Sequence, residues 1–312
     1  MRTVLLVAAL AVLVVILLAR LLMTRTGREV RATRLRLTVP DLSATLDQPL
    51  RMAALSDLHV GSLNVPADRL IAAVDAAHPD VLLLCGDYAA GLSAHDEALE
   101  LIAALSADRP TFGVLGNTDH YQHFDSRRLR EILRAGGGDL LINEAGHVHV
   151  GDMIIEVLGM DDPLHGGASV SATLEAAGGD ADVRVGLCHS PVLWQKVHRL
   201  DAAITIFGHT HGGQIRPPGV EAPVTHTTYP RELAAGLFRH EEGADRPRRL
   251  AGHWEILRLR EPLEVSTTEG PLMYITRGLG MGGLPVRVMC PPEMLVIEMV
   301  REKADGGAGR DG

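Results

Sequence analysis

Apolar residues are concentrated first at the amino terminus of the chain. Residues 3–19 are apolar apart from one threonine, and the run resumes over residues 21–23. A length of about 20 residues is what a helix needs to cross a bilayer, so the pattern predicts a transmembrane anchor over residues 1–23. A cleaved signal peptide is the alternative, but the small residues of a cleavage site are missing after Ala19.

A basic juxtamembrane linker over residues 24–32 follows the predicted anchor. Arg2 precedes the apolar segment, whereas five arginines follow it closely: Arg25, Arg28, Arg31, Arg34 and Arg36. Positive residues near a span tend to stay in the cytoplasm. The asymmetry therefore predicts a single-pass protein of the inner (cytoplasmic) membrane whose main domain faces the cytoplasm, with an exported domain as the alternative.

Short apolar runs and helical patterns alternate through the rest of the chain. The runs with the length of buried strands are residues 52–55, 81–85, 112–115, 154–158, 183–188, 203–207, 273–276 and 294–300. Helical periodicity is present in residues 66–78, 94–105, 126–135 and 191–200. This alternation predicts an α/β domain over residues 33–301, with strands covered by helices on both faces.

Two segments depart from this alternation. Residues 217–270 are rich in proline, charge and histidine, which predicts an irregular insertion, and the glycine-rich residues 302–312 predict a disordered tail.

Composition narrows the class of protein. The chain is 46% hydrophobic and 22% charged, which suits a sizeable core, and its net charge of -9 argues against a nucleic-acid partner. Its three cysteines are too few and too scattered for a disulfide framework.

Five of the apolar runs lead into residues that can bind a metal ion. In chain order these residues are Asp57 with His59, Asp87, Asn117, His189, and His209 with His211. Ligands of α/β sheets collect beyond the carboxyl ends of the strands, so we expect these side chains to converge. Carboxylate, imidazole and amide ligands favour Mn, Fe or Zn. A carboxylate such as Asp87 can bridge two cations, and a pair about 3.5–4 Å apart can generate hydroxide and neutralise a phosphoryl group.

In order and spacing, these residues resemble the motifs of calcineurin-like metallophosphoesterases. The motifs are Asp57-x-His59, Gly86-Asp87, Gly116-Asn117, His189 and Gly208-His209-Thr210-His211. The flanking sequences Gly159-Met160-Asp161-Asp162 and Arg277-Gly278-Leu279-Gly280 are similar to a membrane-associated bacterial branch of that family. That branch includes small phosphodiesterases and UDP-2,3-diacylglucosamine pyrophosphohydrolases. The resemblance covers residues 33–300, interrupted by residues 217–270.

The resemblance implies a four-layer sandwich of two mixed β-sheets flanked by helices, preceded here by the transmembrane helix. It also implies two groups of metal ligands that share one carboxylate. One metal would be held by Asp57, His59, Asp87 and His211, and the other by Asp87, Asn117, His189 and His209.

One position departs from the family pattern. The family usually places a histidine directly after the motif asparagine, as proton donor or phosphate contact, whereas this chain has Thr118. We predict that His120 takes the proton-donor role beside the catalytic residues Asp87 and Asn117; a surface-loop histidine is the alternative.

Four further residues have two interpretations each. Asp161 and Asp162 fit either an ordered turn or a metal site, and Arg277 and Arg287 fit either a substrate phosphate contact or a structural ion pair.

The predicted function is hydrolysis of a phosphodiester or pyrophosphate bond by a hydroxide that bridges two divalent Mn, Zn or Fe ions. The predicted anchor favours a lipid-linked substrate. A phosphomonoesterase or protein phosphatase is an alternative, because fold does not fix substrate. A non-catalytic interaction module is another, although every ligand position is filled.

Overall fold

The computed structural model describes residues 27–40, 42, 48–223, 225, 230–241 and 243–301. Within these ranges no helix is long and apolar enough to cross a membrane. The longest helix there has 12 residues, whereas a span needs about 20. The prediction of a single-pass inner-membrane protein is therefore contradicted. The anchor predicted over residues 1–23 and the tail predicted over residues 302–312 lie outside the described residues.

In the described part of the chain, two seven-stranded sheets make up the centre of the fold. Their strands are β1 (Arg31–Val39), β2 (Leu50–Leu55), β3 (Val81–Leu84), β4 (Thr111–Gly113), β5 (Asp139–Leu140), β6 (Glu144–Val150), β7 (Met153–Gly159), β8 (Val183–Leu187), β9 (Ile204–Phe207), β10 (Gly236–Arg239), β11 (Arg248–Gly252), β12 (Leu263–Ser266), β13 (Leu272–Ile275) and β14 (Glu293–Arg301). Sheet one has the order β12-β1-β14-β2-β3-β4-β5, and sheet two has the order β11-β10-β13-β9-β8-β7-β6. Both are mixed: β2, β3 and β4 are parallel while β14 is antiparallel to β2, and β7, β8 and β9 are parallel while β6 is antiparallel to β7.

Helices flank the sheets; most pack on the outer faces, whereas Ile256 of the last helix packs in the core between the sheets. They are α1 (Ala67–Ala77), α2 (His95–Ser106), α3 (Asn117–Tyr121), α4 (Ser126–Ala135), α5 (Val170–Ala176) and α6 (His253–Arg258). The α-helix predicted over residues 191–200 is instead two 3₁₀ turns, Pro191–Leu193 and Val197–Leu200. Trp194, Val197 and Leu200 are buried in one cluster, and this three-residue spacing matches the 3₁₀ period.

Side chains along each strand alternate between two cores. In β3, Val81 and Leu83 pack between the sheets, while Leu82 and Leu84 pack with residues of the outer helices. In sheet two, Ile206 faces the central core and Phe207 the outer one. The predicted sandwich of two mixed sheets flanked by helices is confirmed.

The segment predicted as an irregular insertion, residues 217–270, contributes to both sheets. It holds β10, β11, α6 and β12. Strand β11 is the edge of sheet two and β12 the edge of sheet one. Charged side chains are common on edge strands, and in strands of only four or five residues they obscure the apolar pattern on which the prediction depended.

Candidate metal centre

The loops after five strands carry all seven predicted metal ligands. The loops after β2, β3 and β4 of sheet one supply Asp57, His59, Asp87 and Asn117, and those after β8 and β9 of sheet two supply His189, His209 and His211. Parallel neighbouring strands place these loops at one edge of each sheet. The loops of the two sheets meet there because the sheets pack face to face.

The first group of ligand atoms surrounds His59 and His211. Nε2 of His59 lies 3.2 Å from Nε2 of His211 and 3.3 Å from Oδ2 of Asp87. Nε2 of His211 lies 3.5 Å from Oδ1 of Asp57. These side chains are buried, and those of Asp57, His59 and His211 have the spacing of a metal site.

The second group surrounds Asn117. Its Oδ1 lies 3.1 Å from Nε2 of His189 and 2.6 Å from Nδ1 of His209. Nε2 of His189 is also 3.4 Å from Oδ2 of Asp87. One carboxylate oxygen of Asp87 thus lies between a histidine of each group, which is the position that a bridging ligand occupies.

The ligand residues have an unusual backbone conformation. Five of them have positive φ: Asp57 (52°), His59 (40°), Asp87 (57°), His209 (69°) and His211 (51°). Side chains with a Cβ adopt this left-handed region at a cost, and such residues concentrate at functional sites. Periodicity in the sequence gives no sign of this feature.

The glycines before Asp87, Asn117 and His209 have two different roles. Gly86 has a φ of 81°, which suits the sharp turn expected from the sequence. At Gly116 and Gly208 the requirement is space: a Cβ at Gly116 would overlap the Asp87 carboxylate, and one at Gly208 would overlap the Ser56 hydroxyl.

Hydrogen bonds orient the ligands from behind. His189 Nδ1 donates to the carbonyl oxygen of Cys85 at 2.6 Å, which turns Nε2 towards the site. His211 Nδ1 faces the carbonyl oxygen of Gly280 at 3.3 Å. The hydroxyl of Ser56 donates to Asp57 Oδ2 at 2.6 Å. Residues that hold a ligand's second polar atom fix its orientation.

Thr118, the position that departs from the family pattern, contacts the shared carboxylate. Its backbone N–H donates to Asp87 Oδ1 and its hydroxyl donates to Asp87 Oδ2, both at 2.8 Å. The next residue, Asp119, is buried and accepts from the backbone N–H groups of Asp87, Tyr88 and Gly116 at 2.8–2.9 Å. Sequence analysis missed both roles.

Charges in the site suit a divalent cation. Burial and the neighbouring His59 hold the pKa of His211 well below its usual value, and burial and His189 lower the pKa of His209 to about 4. Both imidazoles are therefore neutral, with a lone pair available. Burial opposes ionisation of Asp87, yet His189 and His59 hold its pKa well below the usual range, so its carboxylate is charged.

The residues present fit a pair of transition-metal ions. Nε2 of His211 faces Nε2 of the neighbouring His59 imidazole and belongs to a buried group of donor atoms with metal-site spacing. Nε2 of His209 is buried and has no hydrogen-bond partner in the described part of the chain. Closely spaced, buried nitrogen and carboxylate donors of this kind are the ligands of Mn, Fe and Zn.

A cavity of about 670 Å³ opens above the ligands. Its wall includes Thr118 and His165 but not His120, whose Nε2 is 2.6 Å from Asp161 Oδ1. Asp162 accepts from the backbone N–H groups of Leu164 and His165 at 2.9 and 2.7 Å. The Asp161-Asp162 pair thus forms an ordered turn, one of its two interpretations.

Arg277 and Arg287 are buried and make internal contacts. Arg277 forms an ion pair with Glu293 at 2.6 Å. Arg287 donates to the carbonyl oxygens of Gly280 and Arg277 at 2.6 and 2.8 Å. These contacts favour the structural interpretation over a substrate phosphate contact.

Comparisons with known proteins identify the family of this chain. A model of the calcineurin-like phosphoesterase family matches residues 50–213, just over half of the 312 residues. The phosphodiesterase YaeI of Escherichia coli is 27% identical over 262 residues, which are 81% of this chain and 83% of that protein. The uncharacterized metallophosphoesterase YkuE of Bacillus subtilis is 23% identical over 80% of this chain and 78% of its own. The solved structure of Haemophilus influenzae NAD nucleotidase covers 74% of this chain and 46% of its own, with 12% identity and a TM-score of 0.41.

Proposed function

The chain belongs to the calcineurin-like phosphoesterase family and is a hydrolase of phosphoester bonds, and we propose that its substrate is a phosphodiester. The observation that carries this proposal is the convergence of six ligand side chains around a seventh, the Asp87 carboxylate, beneath an open cavity. When bound there, two divalent cations supply a nucleophile derived from water and neutralise charge on the phosphoryl oxygens.

The cavity wall favours a diester over a monoester. Among the described residues that line it, none is lysine or arginine. A diester carries one negative charge and a monoester up to two, so a monoester depends more on cationic side chains. The E. coli relative is named a phosphodiesterase. A lipid-linked substrate was predicted from the anchor alone, so the proposal is limited to the phosphodiester class.

The chain's own residues would orient the substrate and move a proton. Asn117 and Thr118 line the cavity next to Asp87 and are placed to contact the phosphoryl group. Protonation of the leaving oxygen needs a further group, for which His120 stays the predicted residue. His165 is the second candidate, because it lines the cavity.

The test compares bis(p-nitrophenyl) phosphate with p-nitrophenyl phosphate on the full-length protein loaded with Mn²⁺. We expect a higher kcat/KM for the diester and loss of activity after chelation. A higher kcat/KM for the monoester would favour the phosphomonoesterase alternative. Metal binding without hydrolysis of either compound would favour the non-catalytic module.

A further inference from the structure

The cavity that contains the metal ligands is also lined by large apolar side chains. Tyr121 and Leu164 both line the cavity and are 74% and 44% exposed. Exposed apolar groups that share one concave surface mark binding sites more often than isolated ones do. We propose that Tyr121, Leu164 and Met281 form a subsite for an aromatic or other apolar ester group of the substrate. This inference rests on the proposed phosphodiesterase function.

Helix α3 links this subsite to the metal ligands. It begins at Asn117 and ends at Tyr121. Residues four positions apart lie on the same face of a helix. A phosphoryl group held beside Asn117 would therefore have one of its ester groups next to the Tyr121 ring.

Leu164 is held in place relative to α3. It belongs to the turn in which Asp162 accepts from the backbone N–H groups of Leu164 and His165. The 2.6 Å contact between His120 and Asp161 ties this turn to α3. The two apolar side chains therefore belong to elements with a direct connection.

Met281 also lines the cavity, and its segment is anchored as well. Its carbonyl oxygen accepts from the hydroxyl of Ser62 at 2.6 Å. The side chain of Gln214 bonds the backbone of Gly282 in both directions, at 2.8 and 3.0 Å. An anchored wall suits recognition of a flat, rigid group.

The chemistry of the wall indicates which group it accepts. A sugar phosphate or polyphosphate substituent would need cationic partners, and the described lining residues include neither lysine nor arginine. An aromatic or alkyl group needs only apolar contact, and an aromatic ring can also stack on tyrosine.

Two diesters with one leaving group isolate this contact: phenyl p-nitrophenyl phosphate and methyl p-nitrophenyl phosphate. The readout is the ratio of their kcat/KM values, phenyl over methyl. We expect Tyr121→Ala to lower that ratio about tenfold, Leu164→Ala to lower it less, and Tyr121→Phe to preserve it. Val220→Ala is the matched control, because Val220 is 55% exposed and lies outside the cavity lining.

The outcomes separate the subsite from the function on which it rests. If the wild-type protein hydrolyses both diesters and Tyr121→Ala leaves the ratio unchanged, the subsite is refuted and the phosphodiesterase proposal stands. If the wild-type protein hydrolyses neither diester with Mn²⁺ bound, both proposals fail. Tyr121 is exposed, so its replacement should leave the melting temperature within the range of the control variant.

Discussion

The hydroxyl of Thr118 offers a sharp test of how the shared carboxylate is positioned. It donates to Asp87 Oδ2, while the Thr118 backbone N–H donates separately to Asp87 Oδ1, both at 2.8 Å. Thr118→Val keeps the branched shape and the backbone bond and removes only the hydroxyl bond. Thr118→Ser, the matched control, keeps the hydroxyl and removes a methyl group.

The size of the effect follows from the charge on the acceptor. A hydrogen bond to a charged group contributes about 1.5–3 kcal/mol. Each 1.4 kcal/mol is about a factor of ten in affinity, so Thr118→Val should weaken metal binding about 10- to 100-fold. That range agrees with the effect of removing groups that orient metal ligands. Thr118→Ser should bind Mn²⁺ with an affinity within about threefold of that of the wild type.

The assay is titration of the metal-free full-length protein with Mn²⁺, followed by diester hydrolysis at saturating metal. We expect the Thr118→Val titration to require more Mn²⁺ than that of the wild type. The variant should recover most of its activity only at high Mn²⁺ concentration. Equal Mn²⁺ affinity of Thr118→Val and the wild type, with unchanged kcat/KM, would show that the hydroxyl bond does not position Asp87.

Three other predictions concern the ligands, the proton donor and acid stability. Asp87→Ala should lose metal and nearly all activity, since it removes a shared ligand; full diester hydrolysis with a normal metal content would contradict this. If His120 is the proton donor, His120→Ala should slow diesters with poor leaving groups about 10²-fold and p-nitrophenyl esters much less; equal, small effects on both would favour the surface-loop interpretation of His120. Burial and Arg277 lower the pKa of His253 to about 3 in the folded protein. Below pH 6.5 the unfolded chain therefore binds a proton at this residue before the folded chain does. The free energy of unfolding decreases as the pH is lowered, by about 2 kcal/mol between pH 6.5 and 5. His253→Gln should abolish that part of the loss in urea unfolding at the two pH values, and an unchanged pH dependence would refute it.

The sequence was sufficient to predict which side chains converge, because each follows an apolar run. Asp87 and His189 come shortly after buried strands, and the sheet geometry alone brings such positions together. It was insufficient for Ser56 and Thr118, because their contacts with carboxylates depend on loop conformation. The strands within residues 217–270 were missed because they are short and two of them are charged edge strands.

The remaining question is what maintains five ligands in a left-handed backbone conformation, at about 1–3 kcal/mol each. The segment after β13 supplies part of the answer: the backbone N–H groups of Leu279 and Gly280 donate to the carbonyl oxygens of Ser56 and Asp57 at 3.0 and 2.7 Å. Arg287, only 1% exposed, in turn holds the carbonyl oxygen of Gly280. Burying a guanidinium without carbonyl acceptors costs free energy. The charge of Arg287 and the strained ligand loop therefore stabilise one another. The loop conformation is therefore supported by contacts within the chain, and metal binding does not have to supply all the free energy that maintains it.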